Sequence, residues 1–182
     1  MPDLIARLFA RPGLDLPVRA VACAQVAVAR AHWPRLEQTL RAAHAARCPR
    51  VALEEGLLQG ILFYGFPRAI TSFATLANVW PVPTPPRGGG LPPDEQPAAG
   101  RALFAAVYGG NTASVEDMLA NLHGELHDFV VDIAYGRILS RPALPPRDRE
   151  LAAVAVLAAL DQTPQMVAHG RGALHFGADE GA

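Results

Sequence analysis

The chain has 182 residues, 51% of them hydrophobic, with 18% charged side chains and a formal net charge of −1. That length suits one domain, or two small ones sharing a core. Balanced charge advertises no polyanionic partner, so nucleic-acid binding is not expected.

Residues 1–9 contain Asp3 and lack a long apolar run, so no leader peptide is expected there. Apolar stretches elsewhere are amphipathic or too short to cross a bilayer. The expectation is a soluble cytoplasmic protein with no membrane partner. Helices are predicted at 17–31, 34–47, 51–64 and 67–79. Three of these open on proline, which gives up nothing in a first turn whose amides lack partners anyway. Cys23 and Cys48 form no Cys-x-x-Cys pair and read as reduced core thiols.

The segment 81–100, PVPTPPRGGGLPPDEQPAAG, is a linker dense in proline and glycine. It divides the chain into half-modules 1–80 and 101–182, expected to pack as one domain. A short helix is predicted at 100–108 and a long one at 115–135. Leu119, Leu122, Leu126, Phe129, Val130 and Ile133 in the long helix recur at the 3–4 spacing of one buried face. His123 and His127 stand four apart on it, a spacing that can hold a transition metal. Two ligands among Glu125 and Asp128 read better as a solvated face, and no metal is expected. Helices at 146–160 and 164–176 follow. Strand-type alternation is missing, so the predicted fold class is all-α.

The last hairpin repeats the first. Shifting residues 18–49 by 130 positions pairs Arg19 with Arg149, Ala22 with Ala152, Val26 with Val156, Pro34 with Pro164 and Arg41 with Arg171. The later copy carries an acid, Glu150, on one arm and an imidazole, His169, on the other. At those places the earlier copy has Ala20 and Thr39. One copy is equipped for proton transfer, and the other is expected to serve packing.

Three segments carry a family resemblance: YGRILSRPALPPRDRE at 135–150, HGRGALHFGAD at 169–179 and EEGLLQGILFYGFPRA at 54–69. Together they resemble the carboxymuconolactone decarboxylase family, which includes the alkylhydroperoxidase D-like proteins. The resemblance implies a helical bundle and a homo-oligomer. The segment order departs from the family's, in which the Leu-Leu-Gln and Gly-x-Pro helices follow the His-bearing hairpin. Here they follow the first hairpin, and the second copy reaches Ala182 without them. Residues 51–79 are therefore expected to cover the second hairpin, within the chain or across a homo-oligomer interface.

The peroxidase branch of the family uses Cys-x-x-Cys just before the His. By position those cysteines fall at Gln162 and Gln165, and at His32 and Arg35 in the first copy, where no thiol chemistry is possible. The decarboxylase branch needs no such cysteines, and no cofactor is expected. Its resemblance implies Glu150 and His169 as proton-transfer residues acting on a small carboxylated lactone. Arg141, Arg149, Tyr135 and Arg68 are then candidates for holding the substrate. The alternative for each is structural: Glu150 paired with Arg147 or Arg171, His169 hydrogen-bonded in a core. Three functions are in view: a decarboxylase-type enzyme, a non-catalytic helical scaffold or binder of the same fold, and a thiol peroxidase.

Overall fold

A computed structural model describes residues 4–84 and 86–179; Pro85 and the outermost residues of both predicted halves lie outside the described residues. Every regular element among them is helical. After α1 (Leu4–Phe9), helices α2 (Leu16–Ala29) and α3 (Trp33–Ala45) form the first hairpin, and α4 (Arg50–Gln59) and α5 (Ile61–Val79) follow. Beyond the proline-rich stretch come α6 (Gln96–Tyr108), α7 (Thr112–Leu122) and α8 (Gly124–Asp128). A π-helical segment (Phe129–Leu139) then leads into the second hairpin, α9 (Pro146–Ala159) and α10 (Thr163–His175).

The two hairpins share their backbone geometry at the predicted offset. Ala31 and Asp161 both turn with positive φ, at 51° and 58°. The next amides close the same bond, His32 N to Ala27 O at 2.8 Å and Gln162 N to Leu157 O at 3.0 Å. Their exits match too, with Cys48 N on Ala43 O and Ala178 N on Ala173 O, both at 2.9 Å.

Burial joins the two sides of the linker. The largest apolar cluster combines Ala20, Val28, Leu36, Leu40, Leu53 and Leu57 with Ala153, Val156 and Leu157. Four of its leucines, Leu36, Leu40, Leu53 and Leu57, are 0% exposed, and each such burial contributes about 1.5–3 kcal/mol. A second cluster gathers Phe104, Val107, Val131, Tyr135 and Leu139 around α6 and the π segment.

Three local expectations are corrected. The predicted helix 51–64 ends at Gln59; α5 starts at Ile61 and kinks at Gly65, whose φ of 75° only glycine adopts cheaply ahead of Pro67. The linker stops short of residue 100, because α6 begins at Gln96 with Pro97 in its first turn. The long helix 115–135 breaks at His123, which is extended (φ −172°, ψ 129°), and then widens to π geometry. Its single buried face is broken accordingly. Leu122, Leu126 and Phe129 are exposed, while Leu119 and Val130 pack on the second cluster.

Candidate functional site

Arg149 and Glu150 are neighbours in the second turn of α9, so their side chains diverge by roughly 100° around the helix. Each builds a separate polar cluster.

Glu150 points to α10. Its Oε2 lies 2.8 Å from Nδ1 of His169, with the carboxylate side chain 3% and the imidazole 12% exposed. Gly172 makes the approach possible: a Cβ there would stand 2.5 Å from Glu150 Oε2 and 3.1 Å from its Cδ. Phe63 of α5 sets its ring edgewise to His169, centroids 6.0 Å apart. A carboxylate on Nδ1 fixes the ring and leaves Nε2 to face a reactant. Among the described residues nothing hydrogen-bonds that Nε2.

Tyr108 and Tyr135 border the same carboxylate. Burial, with a smaller contribution from Glu150, holds both hydroxyls above the ordinary tyrosine range, so they stay protonated donors; Tyr108 raises Tyr135 further, whereas Tyr135 acts on Tyr108 in the opposite sense. The Tyr135 hydroxyl is close enough to Tyr108 to perturb it, but their geometry falls short of a hydrogen bond and leaves Tyr135 Oη unpartnered. Phe104 packs against both rings, tilted on Tyr108 with centroids 4.5 Å apart and edgewise to Tyr135 at 4.9 Å. Gly172→Ala is expected to displace the Glu150 carboxylate and to cost about 1–3 kcal/mol through overpacking. Thermal unfolding and the His169 ring resonances read both effects, and an unshifted His169 spectrum would refute the contact.

Arg149 points the other way and reaches Glu55 of α4, a residue that sequence reasoning passed over. Its Nη2 donates to Glu55 Oε2 at 2.7 Å and to the Arg141 carbonyl at 2.8 Å. Arg141 clamps the same carboxylate through Nε (2.9 and 3.0 Å) and Nη2 (2.7 Å). Gln59 completes the network, donating to the Arg149 carbonyl at 2.8 Å and accepting from its Nη1 at 3.3 Å. Burial pushes the Glu55 carboxyl up, but the two guanidinium groups outweigh it and hold it below the ordinary carboxylate range. Burial likewise pulls Arg149 below its usual value, against Glu55. Glu55 and Gln59 stand four apart on one face of α4, a weak signal in a helix that also carries Arg50 and Glu54.

Arg149 and Glu55 are buried and mutually engaged, and Arg141 turns its Nε and Nη2 onto the same carboxylate. The arginines proposed as substrate clamps therefore serve first as internal counter-charges. Arg68 Nη1 donates to the Ala29 carbonyl at 2.7 Å, closing the end of α2 rather than reaching Glu150. Ala20 and Thr39 are both fully buried, and the Thr39 hydroxyl is turned onto the Arg35 carbonyl. Cys23 and Cys48 are free thiols; burial raises both, Cys48 to about 11, which disfavours the thiolate. His127 pairs with Asp128, and no cluster able to hold a metal exists among the described residues.

The sequence profile described as the carboxymuconolactone decarboxylase family matches residues 124–181, the stretch containing both Glu150 and His169. Over these residues the chain carries the sequence pattern of the carboxymuconolactone decarboxylase family. It is also similar to Peroxisomal protein 2 of Schizosaccharomyces pombe, with 30% identity over 129 residues. That alignment covers 69% of this chain and 61% of the relative, so the chain spans less than two thirds of the relative's length. Helices α4 and α5 lie outside the matched decarboxylase-family residues, yet supply Glu55, Gln59 and Phe63 to them. No helix among the described residues is long and apolar enough to cross a membrane.

Proposed function

We propose that this carboxymuconolactone decarboxylase-like protein is an enzyme of the decarboxylase type, moving a proton on a small carboxylated lactone with Glu150 and His169. The observation that carries the reading is the 2.8 Å contact between a buried carboxylate and Nδ1 of an imidazole whose Nε2 is free. Glu150 orients the ring through Nδ1, so that Nε2–H of protonated His169 can serve as the acid. The bond from the ring carbon to the carboxylate breaks and carbon dioxide leaves. The electron pair passes through the conjugated ring to the lactone carbonyl as an enolate. His169 returns a proton to carbon and is reprotonated from water. The hydroxyls of Tyr108 and Tyr135, held protonated by burial, are donors beside this path.

The experiment is carbon dioxide release from carboxylated γ-lactones by the purified chain. Glu150→Gln and His169→Gln should each lower kcat/KM by about 10²–10⁴-fold with the helical spectrum unchanged. Wild-type rates in both variants of an active protein would remove the pair from the chemistry. A second reading, a non-catalytic binder of the same fold, is favoured by one observation: a cavity of about 700 Å³ lies against the Glu55 cluster and is lined by neither Glu150 nor His169. A wild-type protein inert to every such lactone supports that reading.

A further inference from the structure

The cavity beside Glu55 is walled by α4, α5 and the proline-rich strap that crosses them. Its apolar side is formed by Val51, Leu58, Phe73, Ala74, Ala77 and Val82. Its volume falls within the range of small-molecule sites, as does the pairing of a mainly apolar wall with a few polar groups. The polar groups are unequal in sign. Arg50, Arg87 and Arg141 line the cavity against Glu54 and Glu55.

Both carboxylates are already engaged. Glu54 is paired with Arg50 on the preceding turn of α4, and Glu55 with Arg141 and Arg149. Donors remain on the other side. Arg87 has no partner among the described residues, and the Arg141 Nη1 bonds nothing there. The strap carries Arg87 and rests on Arg141, and both arginines line the cavity. Gly88 accepts from Arg141 Nη2 at 3.0 Å, and a Cβ at Gly90 would come within 2.8 Å of Nη1. Side chains on the strap would therefore crowd the guanidinium that glycine leaves open.

We infer that this cavity is a binding site for a small amphipathic carboxylic acid, its apolar body against α4 and α5 and its carboxylate on Arg87 and Nη1 of Arg141. A cationic ligand would meet excess positive charge with no free carboxylate. A neutral apolar ligand would leave the guanidinium donors unused. The site shares no residue with the Glu150–His169 pair, and the inference does not rest on that chemistry.

Titration calorimetry on the full chain tests it, with octanoate, 1-octanol and acetate as probes. Octanoate should bind one to one; octanol, lacking the charge, and acetate, lacking the body, should bind at least about tenfold more weakly. Arg87→Gln alters an exposed strap residue and removes a charge-assisted contact, so octanoate affinity should fall about tenfold or more. Ala77→Trp at the exposed mouth should abolish binding, while His169→Gln should leave it within about twofold. Octanol binding as tightly as octanoate, undiminished affinity in Arg87→Gln or Ala77→Trp, or no octanoate binding by the wild type overturns the proposal. Loss in His169→Gln would overturn the separateness of the two sites without bearing on lactone turnover.

Discussion

Replacing Glu55 by glutamine is expected to lower the stability of the fold by about 3–5 kcal/mol. The substitution keeps shape and removes one charge, leaving the Arg149 guanidinium at 1% exposure without a counter-ion. Arg141 is more accessible, with 15% of its side chain exposed, and can turn toward water. Arg149 cannot, so most of the loss should trace to it. At this chain length the midpoint of thermal unfolding should drop by about 10 °C. Removing the pair together, as Glu55→Leu with Arg149→Met, should recover much of the deficit, since an apolar replacement carries no desolvation penalty.

The same residue sets an acid dependence. Its folded carboxyl lies below the ordinary range, although burial alone would raise it, because Arg141 and Arg149 prevail. A depressed folded value means the folded state favours the ionised form. The stabilisation is therefore present above the unfolded value of about 4.3 and fades as pH falls through the lower folded value. The gap between wild type and Glu55→Gln in urea unfolding should be full at pH 7 and shrink at about pH 3. An equal gap at both would mean that the network contributes packing and no charge pairing.

Phe104→Ala should cost about 3–5 kcal/mol, the usual loss for truncating a fully buried aromatic. Phe104 is 1% exposed and anchors the second apolar cluster, with Val107, Val131 and Leu139 around it. Its ring also wedges Tyr108 and Tyr135 into place. Truncation should therefore change the near-ultraviolet tyrosine signal as well as the unfolding midpoint. Phe104→Leu, which refills most of the space, should lose markedly less. A deficit below about 1 kcal/mol for alanine would show that this cluster collapses readily and does not hold the tyrosines rigidly.

What the sequence disclosed follows the range of the interactions. The helices of both hairpins were readable to within a few residues, because proline starts them and their apolar residues keep helical spacing. The acid and imidazole of the second hairpin were readable too. Only 19 positions separate Glu150 from His169, and a two-helix hairpin brings such residues face to face. Glu55 was not readable as a buried acid. It follows Glu54, and adjacent acids on a helix normally mark a solvated side, while its arginines come 86 and 94 residues later. Arg141 and Arg149 looked available to a substrate for the same reason: nothing local announces their partner. The π-helical segment was hidden differently, since the spacing of Leu119 through Ile133 fits an α-helix and only backbone geometry distinguishes the two.

That long separation has a kinetic side. Glu55 is made early in the chain, and the guanidinium groups that neutralise it lie beyond the strap and the whole of α6 through α8. The entropy of closing so large a loop must be met before any ion pair rewards it, and contacts of high sequence separation slow folding. Until α9 arrives, the apolar faces of α2 and α4 have only local cover, and Glu55 remains in water at no electrostatic penalty. The charged network therefore acts as a latch that engages last, joining halves already drawn together by their apolar faces.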